Sequence, residues 1–324
     1  MTTPEFPLST MADGLVGSEI LKIAATIRAR LARGEKVINL TVGDFAPAQF
    51  PIPKALKEGI VASLEAGETN YPPSDGMPQL REAVAALYRE RLGLDYSAAN
   101  VVVCGGVRPA IYATYRTFVN PGETLLYPVP SWNNNHYAWL MQARALPVRA
   151  GAESHFLPTA EALKPHFADA RIFILTSPLN PAGTTYSETE LEKIVGLVLD
   201  ENARRRTEGR RPLMLLYDQV YWMLTFGDVK HHTPVGIDKR MRDYTVFADG
   251  MSKAFASTGL RVGWGVGPEY AMKAMADIVS HIGAWAPRAE QVAAARFLGD
   301  TANVAAYGAC LKEGLTLRLN HLHE

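Results

Sequence analysis

Short unbroken runs of β-branched and apolar residues punctuate the chain at 101–104, 124–127, 171–176, 213–217, 245–248 and 262–266. They do not alternate apolar with polar as a half-exposed strand would, so each predicts a strand buried on both faces. Between them the apolar spacing becomes helical, over 78–92, 109–118, 132–145 and 188–206. Ser187, with Glu190 three residues on, is a capping-box start for the last of these. Strand and helix alternating in this way predict an α/β fold, a mostly parallel sheet covered by helices on both faces. At the flanks, 18–33 reads as a helix stopped by Gly34. The chain turns helical again after Trp285 and has no stop signal within 311–322. The segment 201–211, with five arginines, reads as a solvated helix end and loop.

Composition narrows the partners. The 324 residues are 48% hydrophobic, and 33 Lys+Arg balance 33 Asp+Glu. That is enough apolar material for a large core, and length permits one large α/β domain or two ordinary ones. The mixed, balanced charge leaves no basic footprint for a nucleic-acid backbone. Cys104 and Cys310 lie far apart, which argues against a disulfide framework or zinc cluster and for a reducing compartment. The first 15 residues lack the basic and apolar regions of a signal peptide, and no stretch reaches the roughly 18 apolar residues of a membrane span. The expectation is a soluble, cytoplasmic protein.

In an open α/β sheet ligands collect beyond the carboxyl ends of the strands, and four such positions carry distinctive residues. After 101–104 come Gly105, Gly106, Val107 and Arg108. Two glycines allow close backbone approach, and a helix start suits a phosphate, though an ordinary tight turn has the same letters. After 171–176, Pro178 and Pro181 bracket Asn180 and pin its backbone so that its amide has a fixed direction. After 213–217 stands Asp218, a carboxylate at the end of an apolar strand. It needs a cation, such as a ring nitrogen or a metal, unless it merely caps a helix. A metal lacks a second visible ligand, and His231-His232 in a polar loop reads as solvated. After 245–248 come Ser252, Lys253 and, eight residues on, Arg261. A desolvated lysine frees an amine to attack a carbonyl, and Ser and Arg together grip a phosphate. Residues 263–267, Gly-Trp-Gly-Val-Gly, have the wrong spacing for a dinucleotide-binding turn and read as a strand of small residues.

Asn180, Asp218, Tyr221, Ser252-Lys253 and Arg261, in this order, resemble the pyridoxal-phosphate-dependent aminotransferases of fold type I, class I/II. Leu40-Thr41-Val42-Gly43-Asp44 is similar to that family's substrate-domain glycine segment. Asn70-Tyr71-Pro72 through Gly76, with Leu80-Arg81-Glu82-Ala83, resembles its Tyr…Gly…Leu-Arg pattern. The likeness covers nearly the whole chain, and the joint match is far more specific than any one motif.

The resemblance implies pyridoxal 5'-phosphate as cofactor, joined to Lys253 as a Schiff base, with Lys253 as the proton shuttle. It gives Asp218 to the ring nitrogen, Asn180 and Tyr221 to the 3-oxygen, and Trp132 to the ring face, although Trp132 also reads as a core aromatic. Gly106, Val107, Ser252 and Arg261 would hold the phosphate, and Gly43 would face the substrate. Tyr71 would reach in from a second subunit, which implies a homodimer. The domains it implies are an amino-terminal arm and helix at 1–40, a large cofactor domain at 41–290, and at 291–324 the start of a small domain that is only partly present. An arginine that clamps the substrate α-carboxylate lies further on in relatives. Where aspartate-specific members place an arginine for the distal carboxylate this chain has His281, with Arg288 nearby. The implied activity is transfer of an amino group between an L-amino acid and a 2-oxo acid. Other pyridoxal-phosphate reactions, namely carbon–sulfur lysis, racemisation or decarboxylation, and an idle cofactor-binding module, are the alternatives.

Overall fold

A seven-stranded sheet organises the computed structural model, which describes residues 8–17, 19–39 and 43–324. Residues 1–7 of the predicted leaderless start, Ser18 at the head of the predicted first helix, and Leu40-Thr41-Val42 of the glycine segment lie outside the described residues. The strands are β1 (Val101–Cys104), β2 (Thr124–Val129), β3 (Arg144–Arg149), β4 (Ala170–Thr176), β5 (Met214–Asp218), β6 (Thr245–Gly250) and β7 (Gly263–Val266). Their order is β1-β7-β6-β5-β4-β2-β3. Only the two pairings of β7, with β1 and with β6, are antiparallel. All other pairings are parallel.

Strict alternation of side chains along each strand divides the interior into two cores. On β4, Phe173 and Leu175 face one side with Leu215, Tyr217, Phe247 and Trp264. Ile172 and Ile174 face the other with Met214, Leu216, Val246 and Ala248. The first core is closed by helices Pro78–Leu92, Glu188–Thr207 and Arg288–Gly299, and the second by Val107–Phe118 and Glu269–His281. The result is the three-layer α/β/α arrangement that the uniform apolar runs predict. Every residue of β4 is buried.

Three expectations need correction. The helix predicted over 132–145 is only Asn134–Leu140, and the rest of the segment enters β3, an edge strand whose Arg-Ala-Leu-Pro-Val-Arg sequence hides its nature. Ser187 does accept a hydrogen bond from the Glu190 amide at 3.2 Å, but the Glu190 carboxylate accepts from the Ala160 amide instead of completing the box. In the 201–211 segment Arg205 is not solvated but 3% exposed. Among the described residues no helix is long and apolar enough to cross a membrane.

Candidate active site

Because β1, β4, β5 and β6 run the same way, the segments that follow them meet at one edge of the sheet. The reversed β7 brings its start, not its end, to that edge. Gly106 follows β1 with φ +97°, and a Cβ there would stand 2.1 Å from Arg261 Nη2. It is the N-cap of helix Val107–Phe118 without a side-chain capping bond, so the first amides of the helix point outward unsatisfied by a cap. Arg261 donates to the Thr258 carbonyl at 2.7 Å and the Gly105 carbonyl at 3.1 Å, which fixes its guanidinium over the glycine turn. Ser252 is buried in the helix that follows β6, and Val107 packs on Gly250. The concavity is cationic and donor-rich, the chemistry that receives an oxyanion.

Asp218 ends β5, paired with Thr176 on β4 and Ala248 on β6. Its carboxyl accepts from the Val220 amide at 3.2 Å. It is half-buried, and desolvation pushes its pKa up to about 6, against the lowering effect of the Val220 bond. Such a group awaits a cationic or hydrogen-bearing partner. Asn180 Nδ2 donates to the Tyr221 hydroxyl at 3.3 Å, so the two polar tips converge.

Lys253 occupies the short helix Met251–Ala254 that directly follows β6. Its ammonium lies 5.9 Å from the centre of the Tyr221 ring and donates to the Gly43 carbonyl at 2.5 Å. Burial lowers its proton affinity; Asp44 opposes that, and Arg108 and Arg261 reinforce it. Asp44 is itself tied to the same loop by the Thr258 hydroxyl at 2.6 Å.

The structure therefore gathers Gly43, Gly106, Val107, Asn180, Asp218, Tyr221, Ser252, Lys253 and Arg261 at one edge of the sheet. Trp132 is half-buried rather than part of a core, with the Arg108 guanidinium 4.3 Å from its ring centre. Tyr71 is 82% exposed and packs edge-on against Trp285 of its own chain at 5.4 Å. Arg288, the candidate near the distal-carboxylate position, is ion-paired with Glu68. His231, read as solvated, is instead packed against Tyr217 and Trp222, and burial holds its pKa down to about 3. Arg108 was visible beside the two glycines, but only the fold shows that it covers Trp132 and faces Lys253.

A lysine that follows β6, a half-buried carboxylate at the end of the neighbouring β5 and, on the other side of β6, a cradle of oxyanion donors where β1 ends and β7 begins form a site of an α/β protein. The family pattern described as aminotransferase class I and II matches residues 35–324. The chain belongs to this aminotransferase family and is a transferase enzyme. The aspartate aminotransferase of Bacillus subtilis is 27% identical over 276 residues, 85% of this chain and 67% of that protein. The probable aspartate/prephenate aminotransferase of Rhizobium leguminosarum bv. phaseoli is 32% identical over 260 residues, 80% of this chain and 62% of that protein. Aspartate aminotransferase from Thermus thermophilus, solved with maleate, superposes with a TM-score of 0.87 at 24% identity, over 95% of this chain and 77% of that chain, a likeness of fold. The chain spans about two thirds of the length of these curated relatives.

Proposed function

We propose that the protein transfers an amino group between an L-amino acid and a 2-oxo acid, using pyridoxal 5'-phosphate held on Lys253. The observation that carries this reading is the placement, after neighbouring strands, of a lysine whose proton affinity is lowered by burial and a half-buried carboxylate that has only a backbone amide for a partner. The donor set fits the cofactor: the Gly106 turn, Ser252 and Arg261 suit its phosphate, Asp218 its ring nitrogen, and Asn180 with Tyr221 its 3-oxygen. When bound, the cofactor supplies an aldehyde and an electron-withdrawing ring that delocalises the electron pair released at the substrate α-carbon.

The chain's own residues do the rest. Asp218 would hold the ring nitrogen and favour its protonated form, because a carboxylate stabilises an adjacent positive charge. Trp132, its indole backed by Arg108, would lie against the cofactor ring. Lys253 Nζ, once free as an amine, would accept the proton from the substrate α-carbon, and burial with Arg108 and Arg261 favours its neutral form. Gly43 sets the near wall, its carbonyl steering the lysine. Tyr71, exposed in the single chain, completes the phosphate site of a partner subunit in a homodimer. The cofactor domain takes in 41–290 and, because helix Arg288–Gly299 closes its first core, runs on to Gly299, so that only 1–40 and the chain after that helix are left to a second, smaller domain. The two free cysteines suit a cytoplasmic enzyme.

The purified protein loaded with pyridoxal phosphate is expected to be yellow. Borohydride should fix the cofactor at position 253, and an amino-acid substrate should bleach the band with stoichiometric release of its oxo acid. Aspartate is the first donor to test, since the two curated relatives above carry its name. Release of pyruvate with sulfide would select a lyase, and an unchanged band with every amino acid would refute transfer. Light scattering should return twice the 35.4 kDa of the chain.

A further inference from the structure

Beneath the cleft, on the other face of the sheet, lies a second buried carboxylate that the mechanism above does not use. Asp218 pairs with Ala248, so the next residue on β6, Asp249, projects to the opposite side. Three donors converge on it: the Gly250 amide at 2.7 Å to Oδ1, the Trp222 indole Nε1 at 2.8 Å to Oδ2, and the Tyr88 hydroxyl at 3.2 Å to Oδ2. Behind Tyr88 the bonds keep the same direction. Gln219 Nε2 donates to the Tyr88 oxygen at 3.1 Å, and Gln219 Oε1 accepts from His231 Nε2 at 3.2 Å. His231 Nδ1 has no partner, as expected for a neutral ring whose one N–H is spent on Gln219. The chain from His231 through Gln219 and Tyr88 therefore aims its hydrogens at one carboxylate.

We propose that Asp249 is a positioning residue: gripped by Gly250, Trp222 and Tyr88, it fixes the turn into Lys253 and places a second negative charge behind Asp218 that strengthens the site's hold on a proton at the cofactor. This rests on the reading of Lys253 and Asp218 given above. Two facts support it besides the bonds. The grip is anchored four residues before Lys253, and Gly250, the next residue, has no room for a Cβ, which would stand 2.7 Å from the Gly263 Cα. Asp249 and Asp218 also repel each other electrostatically, and burial with that repulsion raises the Asp249 pKa to about 7. The coupling is mutual, whichever acid takes the proton first.

The titratable neighbours of Asp249 are Tyr88 and Asp218. Asp218 in turn acts on Tyr115, Tyr137 and Tyr221 across the cleft. Lys253 faces Asp44, Arg108 and Arg261.

The test is a pH titration of the absorbance of the cofactor-loaded protein, read as the midpoint at which the Lys253-linked cofactor loses its proton. Asp249→Asn keeps the shape and removes the charge. Its midpoint should fall by about one pH unit, a tenfold loss of proton affinity. Trp222→Phe removes one donor from the carboxylate and should lower the midpoint by less. A purely structural role would change thermal stability and leave both midpoints at the wild-type value, and that result overturns the proposal. If Asp249→Asn does not fold, Trp222→Phe decides alone, and an unshifted midpoint is again fatal. Asp218→Asn separates the two levels of the argument. Colourless wild-type protein, or Asp218→Asn with an unshifted midpoint, sinks the assignment of Asp218 and the role of Asp249 with it. A shift in Asp218→Asn and none in the other two sinks the role of Asp249 alone.

Discussion

The two ends of the sheet treat charge in opposite ways. At the end where β4 and β5 begin, Arg205 is 3% exposed and wholly engaged. It donates to Glu201 at 2.6 Å, to the carbonyls of Phe167 and Ala170 at 2.6 and 2.7 Å, and to those of Ala168 and Arg211 at 3.3 Å. Asn202 exchanges both its amide groups with the Leu213 backbone, at 2.6 and 3.0 Å. At the other end Asp218 has one amide, and Lys253 has one carbonyl. Saturated charge pins strand starts and connecting loops in place. Charge left short of partners costs folding energy and is retained where a ligand supplies the missing partner.

That contrast is open to direct attack. Lys253→Ala should produce the largest effect, a fall in amino transfer of about three orders of magnitude or more, measured as oxo-acid release, with borohydride fixation lost. Fixation persisting at another lysine would move the site. Next, Arg205→Ala should cost about 3–5 kcal/mol in urea unfolding, since it leaves several buried carbonyls without their donor and Glu201 with Arg204 alone, yet leave turnover per folded molecule near wild type.

Asp218→Asn should do the reverse. Transfer falls roughly a hundredfold, while the cofactor-free protein gains about 1–3 kcal/mol near pH 7.5. The sign follows from a native carboxyl at about 6, above its ordinary value of 3.8. The native state binds the extra proton between those values, so stability falls as pH rises through that window. The gain in the Asn variant should therefore fade on acidification to pH 4, and unfolding at both pH values checks it. Ser187→Ala is the smallest: about 1 kcal/mol of stability through its lost cap, with transfer untouched.

Much of the architecture was legible because a strand covered on both faces is apolar at every position. Six of the seven strands announce themselves this way, whereas β3, at the edge with exposed Arg144, Ala145, Pro147 and Arg149, does not. The chemistry-bearing residues were legible because they follow strands directly: Asp218 and Lys253 stand out against their apolar neighbours. Residues whose role comes from distant contacts gave no local sign. Asp249 meets Tyr88 from 161 positions away, and His231 sits in a hydrophilic stretch that only Trp222 and Tyr217 make dry. Arg81, part of the Leu-Arg motif, turns out to brace Asp75 and the Ala98 and Val101 carbonyls.

The reversed direction of β7 bears on how this chain tolerates lengthening. Since β6 ends and β7 starts at the same rim, the nucleophilic amine and the guanidinium over the Gly106 turn share one connection, with seven residues between Lys253 and Arg261. Extra residues in most surface loops would leave the cleft alone. An insertion between those two would slide one anchor past the other, so variation in length is expected to be tolerated elsewhere and rejected there.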